Sequence, residues 1–265
     1  MAFMRSPLLP TSAGSEQVPL SSCTRQTIAP ISPYGLPEGD QCVSSVLRAN
    51  GLSPLCDASL AELDRIAPTT SFPEAAVLFV EGEVARGVYV LCRGYMKLTT
   101  TCQDGKTLIM RIAQPGETLG LHSVVTGKPY EVTVETLQPC QLAFLSRADF
   151  LRLIRERADA CLHMAQQLSN ECQSAYEALR LVGARSVSEK VARLLLQWSG
   201  NRQLVDGPLL LRIPLTHEEM GQLIGTSRET VTRTLSELKK RRVLKLTAST
   251  LLILDRAALQ RLARA

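Results

Sequence analysis

Aromatic residues supply only 4 % of the 265 residues, with a single Trp, so any core must be built from Leu, Val, Ile and Ala. No run approaches about 18 consecutive apolar residues, which excludes a spanning helix and a membrane partner. The sequence has no phosphate-binding loop, dinucleotide glycine motif, nucleophile elbow or His-Glu-x-x-His, and it is read as a non-enzyme. Its three histidines, His122, His163 and His217, are scattered and give no metal-ligand spacing. A basic stretch followed by an apolar one is also missing at the start, where residues 1–15 hold several Pro and polar residues instead. The eight cysteines are accordingly read as reduced thiols of a cytoplasmic protein rather than as a disulfide framework.

What is present is an ordinary apolar fraction of 45 % and a length suited to two domains. The net charge of +5 is unevenly spread. Residues 185–265 carry 15 Lys and Arg against 7 Asp and Glu, while residues 1–184 carry 15 against 18. A basic C-terminal third is either a solvated face or the footprint of a polyanion such as nucleic acid.

Residues 1–45 are rich in Pro, Ser, Thr and Gly without apolar periodicity, and read as a disordered leader. A short helix is expected over 54–67, with Leu60 and Leu63 at helical spacing and Asp57 or Ser59 as its cap. Six β-branched runs follow: 76–80, 87–91, 96–101, 107–112, 132–136 and 141–145. Gly- and Pro-bearing turns separate them, Asp104-Gly105 being the strongest hairpin signal. The pattern predicts an antiparallel β-roll or jelly roll over 46–157. From Ser146 to Leu181 there is no Pro or Gly, and two helices are expected near 148–156 and 158–182. On the second, Leu162, Ala165, Ser169, Cys172, Tyr176 and Leu179 recur at three- and four-residue spacings. That stripe is either a homodimer seam or a face packed on the chain's own β-roll; residues 158–184 are taken as a dimerisation helix.

The densest information lies in 215–235. Thr216 with Glu219 three residues on forms a capping box, and Met220, Leu223 and Ile224 make a buried stripe. Gly225 is placed to end that helix in the left-handed conformation that Gly adopts cheaply. Thr226 or Ser227 then caps a second helix, whose buried face is Val231, Leu235 and Leu238. Two short helices around such a turn are a helix-turn-helix. Arg228, Glu229 and Arg233 occupy the exposed side of the second helix, with Thr232 among them. An Arg can donate twice to guanine and a Glu can accept from cytosine in the major groove; the other role open to Glu229 is a reciprocal cap with Thr226. Lys239, Lys240 and Arg241, followed by Arg242, suit phosphate contact. Runs 243–246 and 250–254 around Ala248-Ser249 read as a wing. The fold class is thus α+β: a β-roll, a long helix and a winged helix-turn-helix over 185–265, with double-stranded DNA as the partner.

This order of parts resembles the CRP/FNR family of bacterial transcription regulators over about residues 50–265, most specifically in Gly225-Thr226-Ser227-Arg228-Glu229-Thr230-Val231-Thr232-Arg233. The resemblance implies a homodimer on a pseudo-palindromic operator, base reading by Arg228, Glu229 and Arg233, and RNA polymerase as a partner. Arg228 is similar to the CRP branch and Thr232 to the hydroxyl residue of the FNR branch, which leaves base preference open. In members that bind cyclic nucleotides, a Glu and an Arg-Ser pair grip the ligand. Here Leu121 stands at the Glu position and Lys128-Pro129-Tyr130-Glu131-Val132 where the pair would be, with Glu131 repelling a phosphate. Cyclic nucleotide is therefore disfavoured. In the iron–sulfur branch, N-terminal cysteines join one from the β-roll. Cys42, Cys56 and Cys140 are the candidates, one short of the usual four thiolates, and the bland reading of each is a small buried hydrophobe. The rival function is a cyclic-nucleotide-binding regulatory module, which would not need the basic C-terminal third.

Overall fold

The computed structural model describes residues 43–49, 54–102, 105–199, 209–212, 215–247 and 250–264. Two helices open it, α1 (Val43–Ala49) and α2 (Asp57–Ile66). Next come β1 (Thr69–Phe72), β2 (Val77–Phe79), β3 (Gly87–Arg93), β4 (Met96–Thr101) and β5 (Thr107–Ala113). Then β6 (Thr118–Leu119), α3 (Leu121–Thr126), β7 (Thr133–Thr136) and β8 (Cys140–Ser146) complete the β-roll. The strands form two four-stranded sheets, ordered β1-β8-β3-β6 and β2-β7-β4-β5, with every pairing antiparallel. Side chains alternate across a strand, so each sheet can turn one face to the other. Val88, Val90 and Leu91 of β3 and Leu142 and Leu145 of β8 are buried in the resulting core. The β4–β5 hairpin closes where expected: Cys102 N–H donates to the Lys106 carbonyl at 2.8 Å and Gly105 N–H to Cys102 at 2.9 Å.

Two expectations about the N-terminal part need correcting. Residues 43–45 are not leader but the first turn of α1, where Val43 is fully buried and Val46 and Leu47 join the β-roll core; residues 1–42 lie outside the described residues. Neither Asp57 nor Ser59 caps α2. Cys56 is the N-cap residue, without a side-chain cap bond, and its own N–H donates to Asp159 at 2.8 Å. That bond lowers the Asp159 pKa and ties α2 to the start of the long helix.

After α4 (Arg147–Glu156), capped by Ser146, the chain runs through the 25-residue α5 (Ala158–Val182), roughly 37 Å long at 1.5 Å per residue. Ala160, Met164 and Leu168 pack α5 on its own β-roll. The stripe predicted as a seam is a different face. Leu162, Tyr176 and Leu179 are 53 %, 60 % and 69 % exposed, and Ala165, Ser169 and Cys172 are exposed between them.

The last part holds α6 (Val187–Ser199), β9 (Leu209–Arg212), α7 (His217–Ile224), α8 (Arg228–Lys240), β10 (Leu244–Thr247), β11 (Thr250–Ile253) and α9 (Arg256–Leu262). Strands β10, β11 and β9 form one antiparallel sheet, so the wing has a third strand that the sequence did not suggest. A second core gathers Val191, Leu194, Leu195, Met220, Ile224, Val231, Leu235, Leu238 and Leu251. Leu181 at the end of α5 belongs to it. One continuous helix is therefore anchored in both cores. Among the described residues, no helix is long and apolar enough to cross a membrane.

Candidate nucleic-acid interface and sensor region

The helix-turn-helix follows from a few local bonds. Thr216 Oγ1 accepts from Glu219 N–H at 3.2 Å, while Thr216 N–H donates to Glu219 Oε2 at 2.9 Å, completing the capping box. Gly225 ends α7 at φ 67°, and its N–H returns to the Gly221 carbonyl. Thr226 N–H donates to that same carbonyl at 2.9 Å. The turn passes so close to Gly221 that a Cβ there would lie 2.6 Å from the Thr226 carbonyl oxygen. These two glycines set the angle at which α8 leaves α7.

Ser227, not Thr226, caps α8: its side chain accepts from Thr230 N–H at 3.3 Å. Val231, Thr234, Leu235 and Leu238 face inward. Arg228, Glu229, Thr232, Arg233, Lys239, Lys240 and Arg241 are all exposed. The carboxyl of Glu229 is held below its ordinary pKa by its own backbone N–H and by the Ser227 hydroxyl. It is therefore an acceptor without a proton of its own at neutral pH. Thr232 differs from its neighbours, because its hydroxyl donates to the Arg228 carbonyl at 2.9 Å and meets His217 Nδ1 at 2.9 Å. Its bonding ties α8 to α7. Two exposed residues here are absent from the sequence reading, Ser236 one turn beyond Thr232 and Lys245 on the wing, while His217, set aside there as a metal ligand, meets Thr232. The α-helical repeat from Glu229 through Thr232 and Arg233 would have found Ser236.

At the end of α8, Arg241 is the C-cap residue and Arg242 lies at φ 57°. A left-handed non-glycine residue at this point swings the chain into the wing, and Val243 N–H closes the turn on the Leu238 carbonyl at 3.0 Å.

The DNA-side helices also touch the β-roll. Lys97 on β4 donates to Glu219 Oε1 at 3.1 Å and pairs with Glu135 on β7 at 3.0 Å. Burial alone would push the Lys97 pKa down, but the two carboxylates outweigh it and raise it.

In the segment where a cyclic phosphate would be gripped, the structure is packed. Leu121 is 1 % exposed and Tyr130 is 5 % exposed. The Tyr130 ring stacks on Phe79 with centroids 3.8 Å apart, and its hydroxyl donates to the Gly87 carbonyl at 2.6 Å. Glu131 is exposed and pairs with His122 at 3.1 Å. Phosphate needs an open cation with donors around it; this segment presents a buried leucine, a satisfied tyrosine and one exposed lysine, Lys128, three residues from the exposed Glu131.

Of the three cysteines suggested for an iron–sulfur cluster, Cys56 and Cys140 are among the described residues. Cys140 is fully buried and donates its thiol to the Gln138 carbonyl at 3.1 Å and to the Tyr95 carbonyl at 3.4 Å. Burial pushes that thiol up to about 11. Cys56 is exposed at the N-terminus of α2, and Cys42 lies outside the described residues. No grouping of His, Cys, Asp and Glu suited to a metal ion occurs among the described residues. Cys140 is a buried thiol of the β-roll core.

A β-roll joined by one long helix to a winged helix-turn-helix defines a class, the DNA-binding regulators with a sensor domain of cyclic-nucleotide-binding type. The cyclic nucleotide-binding domain family matches residues 69–157, and the Crp-like helix-turn-helix domain family matches residues 189–262. The transcriptional activatory protein AadR of Rhodopseudomonas palustris is 28 % identical over 195 residues, 73 % of this chain and 80 % of that protein. The nitrogen fixation regulation protein FixK of Bradyrhizobium diazoefficiens is 25 % identical over 231 residues, 86 % and 96 % of the two chains. The structure of FixK2 from Bradyrhizobium japonicum superposes with a TM-score of 0.67 at 23 % identity, covering 76 % of this chain and 98 % of that one. The chain belongs to the CRP/FNR family of transcription regulators.

Proposed function

We propose that the protein binds a pseudo-palindromic operator as a homodimer joined along α5, without catalysis, in the cytoplasm, with RNA polymerase as the partner that reads its occupancy. Arg228 and Arg233 donate to guanines, and Glu229 accepts from a cytosine. Lys239, Lys240 and Arg241 hold phosphates. Thr216, Ser227 and Thr232 act mainly by fixing the two helices through their caps and the His217 contact. The observation that carries this reading is the exposed Arg228, Glu229 and Arg233 face on a helix that is capped and buried on its other side. The exposed Leu162, Tyr176 and Leu179 stripe supports the dimer. Two helix-turn-helix units then address half-sites about one helical turn apart, ~34–36 Å. The sensor domain takes no cyclic nucleotide in this reading, given Leu121 and Tyr130.

The test uses operator variants changed at single base pairs. Arg233→Ala should cost about 1–3 kcal/mol per half-site and relax preference at one position. A uniform loss across all variants would make Arg233 a phosphate contact and overturn its role. Leu179→Glu should convert the dimer to monomer in analytical ultracentrifugation; an intact dimer would overturn the seam.

A further inference from the structure

We propose that His217 takes a DNA phosphate through its Nε2, so that operator binding draws a proton onto this ring. The proposal rests on the regulator reading above and adds to it a contact that depends on pH but not on base sequence.

A count of hydrogens fixes how the ring is used. The Thr232 hydroxyl donates to the Arg228 carbonyl at 2.9 Å and lies 2.9 Å from His217 Nδ1. A hydroxyl has one donor hydrogen and two acceptor lone pairs. Both bonds exist together only if Nδ1 is the donor in the second. A neutral imidazole carries one N–H, so with that hydrogen on Nδ1 the opposite nitrogen, Nε2, is a bare acceptor. It gains a hydrogen only when the ring becomes an imidazolium. Phosphate oxygens are acceptors for protein N–H and O–H groups. The neutral ring therefore turns a lone pair toward a phosphate, whereas the cation offers a charged N–H. A histidine without such a partner could move its single hydrogen to Nε2; here Thr232 holds it at Nδ1.

The fold puts this ring at the edge of the reading face. His217 is the first residue of α7 and is half-buried. Its partner Thr232 belongs to the exposed side of α8 together with Glu229 and Arg233. When a helix-turn-helix docks, the second helix enters the major groove and the first crosses the backbone. A side chain that starts α7 and touches the exposed side of α8 stands where base edges give way to phosphates. Its ring is already held at Nδ1, so little freedom is lost when Nε2 engages.

The charges around the ring have partners of their own. On α7, Glu219 receives Thr216 and Lys97 of β4, and exposed Glu218, as the next residue on the helix, does not face His217. Of the elements packed on α7, β5 brings Arg111, held by Glu117 and Glu171. Helix α6 brings the Glu189–Arg193 pair and Lys190, which donates to the Ile224 carbonyl at the far end of α7. On α8, Arg228, Glu229 and Arg233 lie within one turn of Thr232, and Glu229 is held by its own N–H and Ser227. Among the described residues, the Thr232 hydroxyl is the one side-chain group bonded to His217. A phosphate would bring the ring the anionic partner that the protein does not supply.

The experiment measures binding to an operator duplex, selected from a random-sequence pool, by fluorescence anisotropy between about pH 6 and pH 8, within the interval where histidine changes charge. The affinity of the unaltered protein should rise about fivefold per half-site from the upper to the lower pH. Its salt slope should steepen by about 1 per protomer over the same interval. His217→Arg should bind at the upper pH as tightly as the unaltered protein does at the lower, without pH dependence. His217→Ala should match the unaltered protein at the upper pH and fall behind it at the lower, equally for every single-base operator variant. Thr232→Val should shrink the pH dependence although His217 remains, because the neutral ring is then free to carry its hydrogen on Nε2. Affinity of the unaltered protein independent of pH, an equal loss at both ends in His217→Ala, or an undiminished profile in Thr232→Val would overturn the proposal and leave the regulator reading standing. Absence of operator binding at every pH would overturn the regulator reading itself, and this contact with it.

Discussion

Helix α8 and the segment from β6 to β7 are each entered through a tight turn, yet they spend their side chains in opposite directions. On α8 the bulky apolar residues go inward, and every charged group stays at the surface. In the segment 118–132, at the place where relatives of this fold would be expected to grip an anion, the chain turns a leucine and a tyrosine inward. The first region is an open surface whose partner must come from outside. The second has been closed by the chain itself, with Tyr130 stacked, hydrogen-bonded and out of solvent. A shared family fold thus fixes the frame and leaves the occupancy of its cavities to a few side chains.

Substitutions should separate the two regions by what they damage. Tyr130→Ala should have the largest effect, destabilising the β-roll by about 3–5 kcal/mol, as loss of a buried aromatic does. Urea unfolding would show it, and the folded fraction should keep its operator affinity. If Tyr130→Ala instead left stability intact and created micromolar affinity for cyclic AMP, the closed segment would be a blocked ligand site rather than core.

A smaller effect concerns Cys140. Its thiol pKa is raised in the fold to about 11, so the protonated form is favoured by folding. The associated stability is fully present below the unfolded pKa near 9 and is lost as pH rises through about 11. Between those limits the loss should reach about 1–2 kcal/mol. Cys140→Val should flatten the stability profile over that window relative to the unaltered protein. An unchanged slope would mean that Cys140 is not buried as a thiol. The smallest effect belongs to α8: Lys239→Ala should leave stability unchanged, weaken binding to all operators alike and reduce the salt slope by about 1. Base-selective loss would move Lys239 into the reading face.

Much of this contrast could be read in the sequence, and the unread part has physical reasons. The capping box at Thr216, the glycine at 225 and the stripe of Val231, Leu235 and Leu238 are local signals, and all appear as expected. The six predicted strand runs all lie on observed strands because β-branched residues between turns leave few alternatives. The missed β6 has two residues and exists only by pairing with β3; no periodicity can announce that. The missed β1 is four residues between Pro68 and Pro73, and its stability comes from β8. Cys140 shows a different limit. Spacing cannot distinguish a ligand thiol from a core thiol, since the difference is burial against Gly94 and two carbonyls distant in sequence or turned locally. Leu121 was informative at once, whereas Tyr130 gained its meaning only when Phe79 was seen against it.

The two carboxylate oxygens of Glu219 have separate duties: Oε2 receives Thr216 within α7, and Oε1 receives Lys97 from the β-roll. Pulling the domains apart breaks only the second bond. Glu219 then still has Thr216, and Lys97 still has Glu135 at 3.0 Å, so the separation strands neither charge. Abandoned half-buried charges are what make most ion-pair contacts costly to part. Each charge at this junction therefore has a second partner inside its own domain, Glu219 in Thr216 and Lys97 in Glu135.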